Sequence, residues 1–238
     1  MRNLDMSPVM PAFSGFLPDS FANKFPKASF ERLTTWSGFN CTNSCIIWMD
    51  PSDTLFKQFQ SSYLHHQRHL FNYTPQFYSL DMFNEVTPKS NDPAFLAETA
   101  RYVRGSLPKL STWVMQGWLF HFKPDFWQPK AIKAFLQGVP IGDVLVLDLF
   151  AEDSPFFNIT DSFYGQPFIW CVLGNFGGNT GWYGALPDIK ESFNTAVKIP
   201  GSTLAGTAIV PEGLFQNEFV YDFVLQLGYV RRLCVCSP

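Results

Sequence analysis

The sequence predicts an α/β protein of the (β/α)8 TIM-barrel type, incomplete, with about six of the eight βα units present. Three observations carry that class. Short apolar runs alternate with amphipathic segments of helical period, as in βα units on a parallel sheet. The clearest run, Val144-Leu145-Val146-Leu147, is apolar throughout, as a strand covered on both faces requires. And 238 residues, 46% of them hydrophobic, come close to the roughly 250 of one such barrel. With no internal repeat and no low-complexity linker, residues 1–238 read as one partial barrel domain.

Six strands are expected, at Ser7–Phe13, Gln76–Phe83, Thr112–Leu119, Val144–Phe150, Pro167–Leu173 and Ser202–Ile209. Asp92 followed by Pro93 is an N-cap with proline at the first helical position, and Gly105 is expected to close that helix. Phe95, Leu96, Thr99, Tyr102 and Val103 line one of its faces at helical spacing. Asp50-Pro51 opens another helix, with Leu55, Phe56, Phe59 and Tyr63 as its buried stripe. Pro129 to Gln137 and Glu218 to Leu227 read as helices too, each followed by glycine. A closed barrel needs two more strands. The first strand begins almost at residue 1, and the chain ends in Cys234-Val235-Cys236-Ser237-Pro238 straight after a helix, so the N-terminal strands are read as missing. Edges at Ser7–Phe13 and Ser202–Ile209 would then expose unpaired backbone groups, and the chain alone is expected to be unstable and inactive.

Composition excludes several classes. Charged residues make up 16% and the net charge is −3, against the basic stripe of a nucleic-acid binder. No run of eighteen apolar residues exists to span a membrane, and the opening residues lack the apolar segment of a signal peptide. Aromatic residues reach 17%, with 26 Phe and 7 Trp. Most of the Phe residues belong to a core, whereas Trp and Tyr in polar loops suit the flat apolar face of a sugar. Asn-x-Ser/Thr triplets begin at Asn40, Asn72 and Asn158. Five cysteines do not decide the compartment. Cys41 and Cys45 are close enough to bridge if the backbone turns sharply, and Cys171 sits in an apolar run where it reads as buried and inert.

In a parallel barrel, reactive groups lie at the C-terminal ends of strands. The expected exits carry Asn84-Glu85, Gln116-Gly117-Trp118 with His121, Asp148 with Glu152, Asn175-Phe176-Gly177-Gly178-Asn179, and Pro211-Glu212-Gly213. Cleaving a glycosidic bond takes two carboxyl groups in different environments, one protonated and one ionised. The candidates are Glu85, Asp148, Glu152, Glu212 and Glu218. Asn84 beside Glu85 pairs an amide with an acid, suited to a sugar's 2-substituent. Glu212 is fixed in a turn, as a nucleophile should be. Asp148 lies within its strand and reads as a supporting group. His65, His66 and His69 cluster on an outer helix without the Glu of a His-Glu-x-x-His site, so no metal is expected. Asn175-Phe176-Gly177-Gly178 lacks the lysine of a phosphate loop.

These motifs resemble a known family. Pro8-Val9-Met10-Pro11-Ala12-Phe13-Ser14-Gly15, Phe39-Asn40-Cys41-Thr42-Asn43-Ser44-Cys45, Phe83-Asn84-Glu85 and Met115-Gln116-Gly117-Trp118-Leu119-Phe120 are four of them. The others are Leu145-Val146-Leu147-Asp148-Leu149-Phe150-Ala151-Glu152, Gly165-Gln166-Pro167-Phe168-Ile169-Trp170-Cys171, Asn175-Phe176-Gly177-Gly178-Asn179 and Pro211-Glu212-Gly213. They occur in the same order, at similar spacing, in the α-N-acetylglucosaminidases of glycoside hydrolase family 89. The resemblance implies a retaining exo-enzyme that removes terminal α-linked N-acetylglucosamine from heparan-sulfate-type glycans, lysosomal or secreted, without metal or other cofactor. It implies Glu85 as general acid/base and Glu212 as nucleophile. Asn84, Trp118, His121, Asp148 and Asn175 would line the substrate pocket, and Cys41–Cys45 would be a disulfide in a loop over the site. An oxidising compartment would make Asn40, Asn72 and Asn158 glycosylation sites. In a retaining site Glu85 and Glu212 would hold their carboxyl groups about 5–5.5 Å apart. The competing expectation is a truncated, inactive barrel fragment that at most binds glycans or a partner.

Overall fold

The computed structural model of the chain describes residues 4–177, 181 and 184–234. Gly178, Asn179 and the closing residues from Val235 lie outside them. The elements run β1 (Val9–Pro11), β2 (Phe16–Leu17), α1 (Ser20–Lys24), β3 (Phe30–Arg32), α2 (Cys41–Ser44), β4 (Ile47–Met49), α3 (Thr54–Phe71), β5 (Phe77–Ser79), α4 (Pro93–Ser106), β6 (Thr112–Gln116), α5 (Trp118–Phe122), α6 (Pro129–Gln137), β7 (Val144–Asp148), α7 (Asp161–Tyr164), β8 (Phe168–Val172), α8 (Leu186–Lys198), β9 (Leu204–Ile209) and α9 (Glu218–Cys234). Six strands form a sheet in the order β1-β5-β6-β7-β8-β9, with parallel pairings and helical crossovers. This is the expected architecture of part of a (β/α)8 barrel, not closed: β1 and β9 are the edge strands. All six lie inside the expected spans and are shorter than them. No described helix is long and apolar enough to cross a membrane.

The chain divides into two compact units, residues 1–115 with 119–144, and residues 116–118 with 145–238. The first holds a three-stranded antiparallel sheet, β2-β4-β3, that the sequence does not announce. Trp48 of β4 is buried, donates its indole N–H to the Ser14 carbonyl at 2.9 Å, and packs on Phe83 with ring centres 5.0 Å apart. α3 starts at Thr54, capped by Asp53 rather than by Asp50, because the Asp53 carboxylate accepts the Leu55 amide. Its buried residues are Phe56 and Gln60, while Tyr63 is exposed and Leu55 half-buried. The Gln60 amide pairs with both the N–H and the carbonyl of Phe13, at 2.9 and 3.2 Å, as a neighbouring strand would.

α4 has the expected Asp92 cap and first-turn proline. It runs through Gly105 to Ser106, and its buried face is Leu96, Thr99, Ala100, Val103 and Arg104, with Tyr102 exposed. α4 packs on α6 so tightly that a Cβ on Gly138 would lie 2.4 Å from the Ala97 carbonyl oxygen. In the second unit, α9 packs on β9 and α8 meets Trp170 of β8 through Ser192 and Phe193, with Phe157, Phe163, Phe168, Trp170 and Phe193 buried. Fully burying such a side chain contributes about 1.5–3 kcal/mol. α9 runs seven residues past Leu227, the end expected from Gly228. The turn α7 has positive φ at four successive non-glycine residues. It is held by Ser162, whose hydroxyl accepts the Thr203 amide at 2.8 Å, and by Thr160, which accepts the Phe163 amide.

Two glycines of the α4–α6 pair should respond oppositely to alanine. Gly105→Ala is expected to stabilise by about 0.4–1 kcal/mol, because its Cβ meets nothing within 4 Å and the backbone is already helical. Gly138→Ala is expected to cost about 1–3 kcal/mol through the clash with Ala97. Denaturant unfolding of the two variants checks both signs.

Candidate active site

Glu85 stands in the loop that follows β5. Phe83 and Val86 on either side of Asn84-Glu85 are buried, while Asn84 and Glu85 are half-buried. Phe83 is seated on Trp48 of the small sheet, which therefore serves as the platform for this loop. The loop is also tied to the segment after β3, because the Thr87 amide donates to the Thr34 hydroxyl at 3.1 Å. From that segment the indole N–H of Trp36 donates to the Glu85 carboxylate. The Asn84 side-chain oxygen is inaccessible and takes no hydrogen bond, an orphaned acceptor that ordinarily costs about 1–3 kcal/mol.

The other candidate acid, Glu212, lies in the second unit, in the turn after β9, and is exposed. Asn175, buried at the exit of β8, grips that turn. Its side-chain N–H donates to the Phe215 carbonyl at 3.0 Å, and its own carbonyl accepts from the Gly213 amide at 2.9 Å and the Gln216 side chain at 3.2 Å. Gly213 is required here, since a Cβ would lie 2.4 Å from the Asn175 side-chain oxygen. Asn175 thus sets the backbone on which Glu212 sits. Leu214 and Phe215 beside Glu212 are 93% and 83% exposed.

Two further carboxyls of this unit are buried. Asp148, at the end of β7 and 2% exposed, accepts the amides of Phe156 and Phe157 at 3.0 Å each. Burial pushes its pKa up to about 7, against those amides. Glu152 accepts the amides of Leu173 and Gly174 at 2.9 and 2.7 Å through one oxygen, while the other is buried without a hydrogen bond. Burial raises it to about 7 as well. Glu152 lines a cavity of about 530 Å³ together with Asn175, Phe176, Asp188, Gln216 and Tyr221. Trp118 reaches Phe176 edge-on at 6.1 Å, and Phe150 does so at 5.4 Å. Glu218 is exposed in the first turn of α9, where a carboxylate favours the helix end.

The remaining sequence-derived positions fall as follows. The expected strand Thr112–Leu119 stops at Gln116 because the chain turns at Gly117, whose amide donates to Leu147. Trp118 and His121 therefore stand on the short helix α5, both half-buried. Cys41 and Cys45 are joined by a disulfide across α2, and Cys171 is a buried free thiol. Asn40, Asn72 and Asn158 are exposed, although Asn40 caps α2 and the Thr160 hydroxyl of the third triplet is buried and donates to Phe156. His65 meets His66 and His69 edge-on on the exposed side of α3. Among the described residues, no group of three or more His, Cys, Asp or Glu side chains is arranged to hold a metal ion.

Residues 1–231 match the α-N-acetylglucosaminidase (NAGLU) TIM-barrel domain. This chain belongs to the α-N-acetylglucosaminidase family. It is similar to human α-N-acetylglucosaminidase, 42% identical over 232 residues, which cover 96% of this chain and 31% of the human protein. The chain thus spans about a third of that relative's length. The fold is similar to that of a family 89 glycoside hydrolase from Clostridium perfringens in complex with PUGNAc, with a TM-score of 0.75 at 22% identity over 94% of this chain and 25% of that one. It is similar too to CpGH89 from the same organism, carrying two glutamate-to-glutamine substitutions, in complex with its substrate GlcNAc-α-1,4-galactose. There the TM-score is 0.75 at 21% identity, over 95% of this chain and 25% of that one.

Sequence reasoning did not single out Trp36 or Gln60. A tryptophan between Thr35 and Ser37 has no periodicity to read, and Gln60 hides in an apolar stripe.

The buried acids make stability depend on pH. Both are raised from ordinary unfolded values near 4 to about 7 by burial. Their protonated forms are the ones the fold accepts, so their contribution is complete below about pH 4 and is lost as pH rises through 7. It is on the order of 3–4 kcal/mol per carboxyl at most. The melting temperature is expected to be highest in acid and to fall toward pH 8, and Asp148→Asn with Glu152→Gln is expected to flatten that fall. A melting temperature that climbs between pH 4 and 7 contradicts it.

Proposed function

We propose that this chain is catalytic-barrel sequence of a retaining exo-α-N-acetylglucosaminidase, with Glu85 as general acid/base and Glu212 as nucleophile. The observation that carries the reading is the family match over 1–231 together with 42% identity to the human enzyme. A relative with two glutamates changed to glutamine, caught with GlcNAc-α-1,4-galactose, supports a mechanism that needs two acids. Of the five candidate carboxyls, Asp148 and Glu152 already have backbone amides as partners. Glu85, which takes the Trp36 indole N–H, stands in the loop after β5, and Glu212 in the turn after β9.

In the first step the Glu212 carboxylate attacks the anomeric carbon as Glu85 gives its proton to the departing glycosidic oxygen. That breaks the glycosidic bond and leaves an ester to Glu212. In the second, Glu85 takes a proton from water, whose oxygen attacks the same carbon and releases Glu212. Neither step calls for a cofactor. Asn84, beside Glu85, is the amide we assign to the sugar's 2-substituent. Phe176, with Trp118 and Phe150 around it, offers apolar rings to the sugar face. The substrate class we infer is a glycan ending in α-linked N-acetylglucosamine, of the heparan-sulfate type. The compartment is lysosomal or secretory, which suits the Cys41–Cys45 disulfide, acid-preferring buried carboxyls and the exposed asparagines of the three triplets.

The two acids should fail differently in the intact protein. With Glu85→Ala, substrates bearing good leaving groups still form the glycosyl-enzyme, and azide is expected to speed turnover and give the retained α-glycosyl azide. With Glu212→Ala the ester cannot form, and azide is expected to give the inverted β product. Product analysis by proton NMR checks this, and the reverse pattern would exchange the two roles.

A further inference from the structure

We propose that Trp36 is the positioning residue for Glu85, holding one carboxylate oxygen through its indole N–H so that the other faces the departing glycosidic oxygen. The inference rests on the acid/base role given to Glu85 above. Trp36 does not behave as a core residue, because it is 46% exposed. Its N–H nevertheless donates to Glu85, 49 residues away in sequence. A large ring ordered at the surface loses side-chain freedom, and here the surrounding segment is built to hold it.

That segment is fastened at every turn. Trp36 stacks on Phe39 with ring centres 5.5 Å apart and planes 25° from parallel, and the Phe39 amide donates to the Trp36 carbonyl. The Ser44 hydroxyl donates to the carbonyls of Phe39 and Asn40, and the Cys41–Cys45 disulfide closes the same loop. Arg32 donates to the Cys45 carbonyl at 3.0 Å, and the Leu33 amide to the Ile46 carbonyl. At the other side Thr34 accepts the Thr87 amide, two residues beyond Glu85. The loop and the carboxylate are therefore joined at two points, once through backbone and once through the indole. A disulfide over so short a loop adds little through chain entropy; its work is to fix where Trp36 points.

The test is leaving-group dependence in the intact protein. General acid help matters most when the leaving group is poor. Trp36→Phe keeps a ring and removes the donor. Against an alkyl or sugar α-GlcNAc glycoside it is expected to lose about tenfold more in kcat than against an aryl glycoside with an acidic phenol, the worth of one hydrogen bond to a charged group. KM should change little. Trp36→His, which restores an N–H, is expected to recover part of the difference, and Cys41→Ser with Cys45→Ser to reproduce the Trp36→Phe pattern. Equal losses on both substrates, or no recovery with histidine in a protein that melts normally, would overturn the proposal. Glu85→Gln separates the two readings: a leaving-group-dependent loss there with equal losses in Trp36→Phe defeats only this inference. Equal losses in Glu85→Gln defeat the acid/base assignment itself.

Discussion

Where a strand of a parallel sheet ends, its last amides and carbonyls lose their ladder partners, and buried groups of this kind must be satisfied. Much of the candidate site is a consequence of how this chain meets that constraint. At the exit of β7 Asp148 takes the amides of Phe156 and Phe157. Four residues on, Glu152 takes those of Leu173 and Gly174 at the exit of β8. The next residue, Asn175, then takes the Gly213 amide on its carbonyl and gives its side-chain N–H to Phe215, shaping the turn that bears Glu212. In the first unit Gln60 does the same for Phe13 after β1, and the Trp113 indole serves the Leu80 carbonyl after β5 at 2.7 Å.

The same constraint sorts the acidic residues. A carboxyl that satisfies backbone amides in a buried place is held by them and titrates late, as Asp148 and Glu152 do. Its charge is not at the disposal of a substrate. Glu85 and Glu212 stand instead on loops whose backbones are held by other residues, Phe83 on Trp48 in one case and Asn175 against Gly213 in the other. The arrangement also favours an acidic environment, because the burial that holds the exits together is easiest when Asp148 and Glu152 carry protons.

The sheet was legible in the sequence because strands covered on both faces are written as apolar runs, and all six were found in order. Their ends were less legible. Gly117 turns the third into α5 three residues early, and nothing in Trp118-Leu119-Phe120 distinguishes a helix from a strand. The β2-β4-β3 sheet was not legible at all, since strands of two or three residues carry no periodicity. α8 was not read, as its proline-led start follows a run of glycines with no cap residue, and the structure gives Ala185 that position without a side-chain bond. Glu85 and Glu212 were named from strand exits and from resemblance. What holds them was hidden, because Trp36 and Asn175 act across 49 and 40 residues, a distance no local pattern encodes.

The nucleophile role proposed for Glu212 requires that its carboxylate bond to the sugar. It is tested most directly by trapping the ester in the intact protein. Glu85→Ala is incubated with an aryl α-GlcNAc glycoside bearing a good leaving group, quenched in acid, digested and read by tandem mass spectrometry. One N-acetylglucosaminyl unit is expected on the peptide containing Pro211-Glu212-Gly213, placed on Glu212 by its fragments. The same mass on Asp148, Glu152 or Glu218 would contradict it.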